Sequence, residues 1–206
     1  NMLEIKINDV NTTNDLPKTS SLDDMIDYVL NNKIKNDQII SQIILDGEDI
    51  DFDKENQLNR SLQENKIINF KIKSTIDVAY ESLNDCSLFI DSSIERINQI
   101  VQLYRENEVQ KANFAFPEII DMIDFFVKLI TKIYKTIIGG QENPEKSDLE
   151  LIQNLEIHLL TVLKSLLPAK EKGDITMLCD LLEYELSDNL QQWKAEIIPT
   201  LENMNK

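Results

Sequence analysis

The chain has four glycines, five prolines, two cysteines, one histidine and one tryptophan in 206 residues. So little glycine and proline, beside 42% hydrophobic residues, describes an ordered protein with few loops rather than a disordered tail. Cys86 and Cys179 lie far apart in helical-looking text with no CxxC or His-linked spacing, which excludes a zinc site or redox motif read from spacing and makes both buried small hydrophobes. No apolar run approaches the ~20 residues of a membrane span, and the N-terminus has no charged region followed by an apolar one, so the expectation is a cytoplasmic protein. Basic residues are also short: 21 against 37 acidic, a net charge of −16. Such a surface repels phosphate backbones and anionic lipid, so no nucleic acid and no membrane is expected as partner, and a basic or amphipathic protein segment is. Heavy use of Ile, Asn and Lys suggests an A/T-rich genome.

Up to about Lys73 apolar residues alternate. Leu3, Ile5 and Ile7 share one face, as do Ile68, Phe70 and Ile72, and both sets predict half-buried strands. Between them Leu22, Met25, Ile26, Val29 and Leu30 recur at helical spacing behind Ser21, with Asp24 three residues on as a shortened capping box. "QIISQIILDGEDI" predicts a strand that turns at Asp46-Gly47. The acids after this turn raise the possibility of a calcium loop, which needs oxygen ligands at positions 1, 3 and 5, glycine at 6 and an acid at 12. From Asp46, position 5 is Ile50 and position 6 is Asp51; from Asp49, position 6 is Lys54. Neither register fits, and no metal is expected.

In their order, "MLEIKIND", "SLDDMIDYVL", "IILDGEDI" and "IINFKIKS" resemble a ubiquitin-like β-grasp domain over residues 2–73. The resemblance implies a mixed sheet wrapped on one helix, with a second strand in "VNTTNDLPK" that is short or irregular. It also implies a binding module rather than a conjugated modifier, because the one diglycine, Gly139-Gly140, is internal. On such a fold the outer sheet face is a docking surface. With Ile43 and Leu45 inward, period two sends Ile44 outward, and Ile67 faces the same way; the alternative is that both cover a sheet edge.

From about Ile76 the period becomes three and four. Ile76, Ala79, Tyr80, Leu83, Ile90, Ile94, Ile97, Val101 and Tyr104 mark one helix, and Phe116, Ile123, Ile130 and Ile137 repeat in heptads along a second, which Pro117 either starts or kinks. After "GGQENPEKS", Ser147 and Glu150 form a capping box for a third helix carrying Leu155, Leu159, Val162 and Leu166. Gly173 ends it and Asp174 caps a fourth, through Leu178, Leu182, Leu190, Trp193 and Ile197. The expected fold class is therefore α+β: a β-grasp domain over 1–73 and an up-down four-helix bundle over 74–206. The two carry nets of −5 and −11.

A catalytic constellation does not assemble. His158 stands among leucines without the Glu-x-x-His of di-iron bundles, and no nucleophile elbow, P-loop or glycine-rich fingerprint occurs. No cofactor is expected. Asp180, Glu183, Glu185 and Asp188 cluster beside Tyr184, with Trp193 continuing the core stripe, and Glu183, Glu185 and Asp188 become candidate partner contacts together with Ile44 and Ile67. The expected function is a noncatalytic adaptor or scaffold. The alternatives are a bacterial export chaperone of the flagellin-chaperone class, clamping an amphipathic segment, and an enzyme with a site between its domains.

Overall fold

Strand β1 (Glu4–Ile7) turns back at once into β2 (Val10–Asn11), and a single turn of 3-10 helix, Thr13–Asp15, follows. The computed structural model describes residues 3–15, 21–51, 54 and 58–205. Helix α1 (Leu22–Asn32) leads to β3 (Gln38–Leu45), β4 (Glu48–Asp49) and β5 (Ile67–Ser74). The sheet order is β2-β1-β5-β3-β4, with β5 parallel to β1 and antiparallel to β3. This is a mixed five-stranded sheet carrying one helix, and helices follow it. Contacts divide the chain into two compact units, Asn1–Val78 and Ala79–Lys206.

In the first unit the period-two pattern decides which face is buried. Ile5, Ile43, Leu45, Ile68, Phe70 and Ile72 point to the core and meet Leu22, Met25 and Val29 of α1. Burying each of those helical side chains contributes about 1.5–3 kcal/mol. Ser21 caps α1 as its spacing predicts, its hydroxyl accepting from the Asp24 N–H at 3.2 Å. Leu30 departs from the expected core: it is exposed on the rim. A bulge between Ile40 and Gln42 shifts the β3–β5 register, so Ile40 still faces Ile72 while Gln42 faces Lys71.

Both hairpins are two-residue turns with positive φ at both positions, the twist that suits right-handed strands. Asp46 (φ 51) and Gly47 (φ 88) join β3 to β4; Asn8 (φ 48) and Asp9 (φ 68) join β1 to β2 without a glycine. Side chains hold the second turn in place. The Asn8 amide spans the Ile72 backbone, accepting from its N–H at 2.8 Å and donating to its carbonyl at 3.2 Å. Asp9 accepts from Lys71 at 2.5 Å and from Asn69 at 2.7 Å. β2 is as short as its polar sequence implies, and the Leu16-Pro17-Lys18 part of that stretch lies outside the described residues.

The second unit carries α2 (Thr75–Arg105), α3 (Val109–Gly139), α4 (Lys146–Glu171) and a last helical stretch, α5 (175–203). α2 starts directly after β5. Its end at Asn107 (φ 62) is a helix stop in which Glu108 N–H returns to Leu103 and Asn107 N–H to Tyr104, with asparagine where glycine is usual. Hence α3 begins at Val109, well before the Pro117 reading placed it. Pro117 lies inside α3, where its missing N–H leaves the Asn113 carbonyl without its helical donor. The Ser147–Glu150 capping box does not form either: α4 starts at Lys146, and Ser147 instead bonds Glu145. Gly173 (φ 66) and Asp174 behave as expected, the first ending α4 and the second accepting from Met177 N–H at 3.0 Å to cap α5.

Heptad positions Phe116, Ile119, Ile123, Phe126, Ile130, Ile133 and Ile137 are all buried along α3. Rim interactions join the helices in a ring: Arg96 to Glu118 (α2–α3), Tyr134 to Glu156 (α3–α4), His158 to Glu185 (α4–α5) and Lys194 to Asp91 (α5–α2). Inside, Trp193 meets Phe126 edge-on at 5.7 Å and is 1% exposed. Both cysteines are buried and free, and burial pushes the Cys86 thiol up to about 11, so it stays protonated and inert near neutral pH. Among the described residues no helix is long and apolar enough to cross a membrane.

The Asp46 carboxylate supplies a test of the first unit. It accepts from Ile67 N–H at 2.8 Å, Lys66 N–H at 2.9 Å and Asn65 at 2.9 Å, and these bonds, Ile67 first, hold its carboxyl below the ordinary 3.8. A depressed carboxyl stabilises the fold above its unfolded value, and that contribution disappears as pH falls through the folded value. Urea unfolding of the wild type should therefore weaken below about pH 4. Asp46→Asn should be less stable at neutral pH and show a flatter decline through the same acid range.

Candidate functional site

The acidic text of α5 does not form one face. Glu183 is half-buried and ion-paired with Arg105 of α2; Glu185 sits within 2.9 Å of His158 on α4; Asp188 points to solvent. Glu183, two residues before Glu185 and five before Asp188, therefore stands on a different side of the helix from the other two acids. What the structure does bring together is an open groove of about 470 Å³ at the start of α5, lined by Asp174, Thr176, Met177, Asp180, Leu181, Tyr184 and Glu185. Met177 is 46% and Tyr184 58% exposed, large apolar surfaces set beside carboxylates. Asp180, Tyr184 and Glu185 stood in the sequence reading; Met177 did not, since a lone methionine in an apolar run looks like core.

Beneath the groove α5 departs from α-helical geometry twice. Ser187 N–H bonds back five residues to the Leu182 carbonyl, and Ile198 N–H does the same to Trp193. The second wide turn precedes Pro199, which has no N–H to offer the Ala195 carbonyl. At the first, the Ser187 hydroxyl adds a bond to Leu182 at 3.1 Å. Wide turns of this kind shift the register of everything after them by one residue. Just after the first of them Asn189, three residues beyond Leu186 on the apolar stripe, is fully buried where a leucine would be expected.

Asn189 Nδ2 donates to the Leu155 carbonyl at 3.0 Å and to His158 Nδ1 at 2.9 Å. With Nδ1 accepting, the neutral ring carries its proton on Nε2 and donates it to Glu185. Both ring nitrogens are occupied, and the histidine works as a strut between α4 and α5. Asn189 Oδ1 and Trp193 Nε1, one turn further on, are buried without partners among the described residues. A polar side chain in a leucine stripe is the signal that would have found Asn189.

The other candidates lie on the sheet. Ile44 stands opposite Asn69, two residues from Ile67 on the same strand, so both face outward together. Ile44 is half-buried and Ile67 exposed. Glu4 lies opposite Ile67 and pairs with Lys6 at 3.4 Å, leaving a small apolar spot in a polar surround. Of the acids weighed as calcium ligands, Asp46 caps backbone amides and Asp49 accepts from Gln42 at 2.9 Å, while Asp53 and Glu55 lie outside the described residues.

The Asn189 strut predicts a stability effect. Asn189→Asp sets a carboxylate against the Leu155 carbonyl and buries a charge, so urea unfolding at neutral pH should show a loss of about 3–5 kcal/mol. His158→Gln, with the ring partly in solvent, should cost only about 1 kcal/mol.

The family model described as "Domain of unknown function (DUF8042)" matches residues 81–196. No curated protein and no solved structure matches the chain. The matched segment runs from α2 into the second wide turn of α5, so it contains the groove, the strut and more than half of the sequence: the chain belongs to the DUF8042 family.

Proposed function

We propose that the chain is a noncatalytic protein-interaction module, an adaptor or scaffold, whose α5 groove takes a basic or amphipathic segment of a partner protein in the cytoplasm. The carrying observation is the juxtaposition of exposed Met177 and Tyr184 with Asp180 and Glu185 around one open groove. An apolar side chain of the partner would pack on the methionine and the ring, and a Lys or Arg beside it would meet the carboxylates and the ring face. The net charge of −16 speeds the approach of such a segment and repels nucleic acid and anionic membranes.

The finer architecture belongs to the same reading. The strand order and the single helix packed on the sheet support a ubiquitin-like β-grasp for the first unit. The ring of α2–α3–α4–α5 interactions supports an up-down four-helix bundle for the second. Outward-facing Ile44 and Ile67 are a subsidiary contact of the adaptor. A second reading, an export chaperone, draws on Ile157, Leu160 and Leu167, which are exposed along one side of α4 at the spacing an amphipathic helix would match.

Affinity purification with the full chain as bait separates these readings. The adaptor retains a folded partner, and Tyr184→Ala combined with Glu185→Gln releases it while the urea midpoint of the bait changes little, since a glutamine oxygen at 185 still accepts from His158 Nε2. Binding to the groove should weaken with added salt chiefly through the association rate. Retention of an unfolded or helical secretion substrate, lost in Leu160→Lys instead, would establish the chaperone. Turnover in a broad substrate screen, abolished by one polar substitution, would establish an enzyme.

A further inference from the structure

The first unit holds a second cavity, on residues unconnected with the α5 groove. It has a volume of about 360 Å³ and lies between α1 and β3, with Asp23, Ile26 and Leu30 on the helix side, Gln38, Ile39, Ile40 and Ile43 on the strand side and Leu58, from the segment after β4, completing its wall. Leu30 and Ile39 are 46% and 37% exposed, so its mouth is apolar and open to solvent. The rim carries two features that together specify an occupant.

One is hydrogen bonding. β5 pairs with β3 along its length, but on the opposite side β4 pairs only with Ile44 and Leu45, and Ile50 N–H reaches the Ile43 carbonyl. Among the described residues nothing pairs with the outer side of Ile39–Gln42. A half-open edge of this kind is completed by an extended segment through main-chain bonds, and every second side chain of the added strand then points to the helix side. At about 3.3 Å per residue, the run from Ile39 to Ile43 matches a segment of five or six residues.

The other is charge. Asp23 and Asp27, one turn apart on α1, stand towards the Ile43 end, and α1 contains no basic residue to neutralise them. At the opposite end Lys33 and Lys35 follow α1, and the Lys35 N–H is bonded to the Gln38 side chain at the start of β3. None of the four is in an ion pair among the described residues. The groove therefore has an acid, Asp23, in its lining, while the loop that leads into β3 beside Gln38 carries Lys33 and Lys35 together with Asp37.

We propose that the α1–β3 groove binds an extended segment of a partner protein as an added strand on β3. Its alternate apolar side chains fill the cavity, a Lys or Arg meets Asp23, and an Asp or Glu meets Lys33 and Lys35. This site does not rest on the α5 reading and stands or falls separately.

The test is selection of the full chain against a phage-displayed library of random nonamers, followed by titration of the best synthetic peptide. Enriched sequences should carry apolar residues at alternate positions between a basic and an acidic end, and Asp23→Lys should shift the preference at its end from basic to acidic. Amide shifts on binding should map to α1 and β3. Leu30→Arg and Ile39→Arg, both at exposed positions, should each weaken the peptide by roughly tenfold or more with unchanged unfolding midpoints, whereas the Tyr184→Ala, Glu185→Gln pair should not affect it. Enrichment of apolar residues three and four apart would mean a helical occupant and overturn the proposal. So would no enrichment, undiminished binding to both arginine variants, or a dimer in sedimentation that Ile39→Arg dissolves, since a second copy would then hold the edge.

Discussion

The first unit depends on β5 having a neighbour on each side. Its inward residues Ile68, Phe70 and Ile72 supply the centre of the core, and its backbone is the one ladder shared by β1 and β3. Both turns are tied to it as well: Asn8 and Asp9 to Asn69, Lys71 and Ile72, and Asp46 to Ile67. Non-glycine residues at positive φ cost about 1–3 kcal/mol where nothing offsets them. Here side-chain bonds to β5 offset that strain, so the hairpins are stable only when the last strand is in place. A local feature near the start of the chain is thus fixed by residues more than sixty positions later.

What was legible in the sequence follows from how local each cause is. Period two announced the strands, and Ser21, Gly173 and Asp174 announced helix ends, because each acts on backbone groups within a few residues. Asn107 was not legible: a left-handed asparagine in "RENEV" is indistinguishable in text from a polar residue on a helix surface. Pro117 left a helix start and an internal position open, and the chain takes the second, since burial of every apolar heptad position of α3 outweighs the one lost backbone bond. The acidic cluster shows the same limit in side chains rather than backbone. Glu183, Glu185 and Asp188 are close in sequence, yet their partners, Arg105 and His158, come from two other helices, and only packing reveals which acids remain for solvent.

The two units handle the exception to good packing differently. In the helical unit it is buried: Asn189 ties α4 to α5 through Leu155 and His158, just after the first wide turn of α5. In the sheet unit it lies at the rim, where β4 is too short to cover β3. Both leave an apolar recess with a carboxylate in its lining.

Hydrogen exchange of the full chain, read residue by residue, tests this account most directly. Inward and outward amides of β5 should be the slowest of the first unit, exchanging only with its global unfolding, while outward-directed amides among Ile39–Gln42 should exchange orders of magnitude faster. Uniform protection across Ile39–Gln42 equal to that of β5 would contradict it, for the edge would then be covered and the central strand would have no special place.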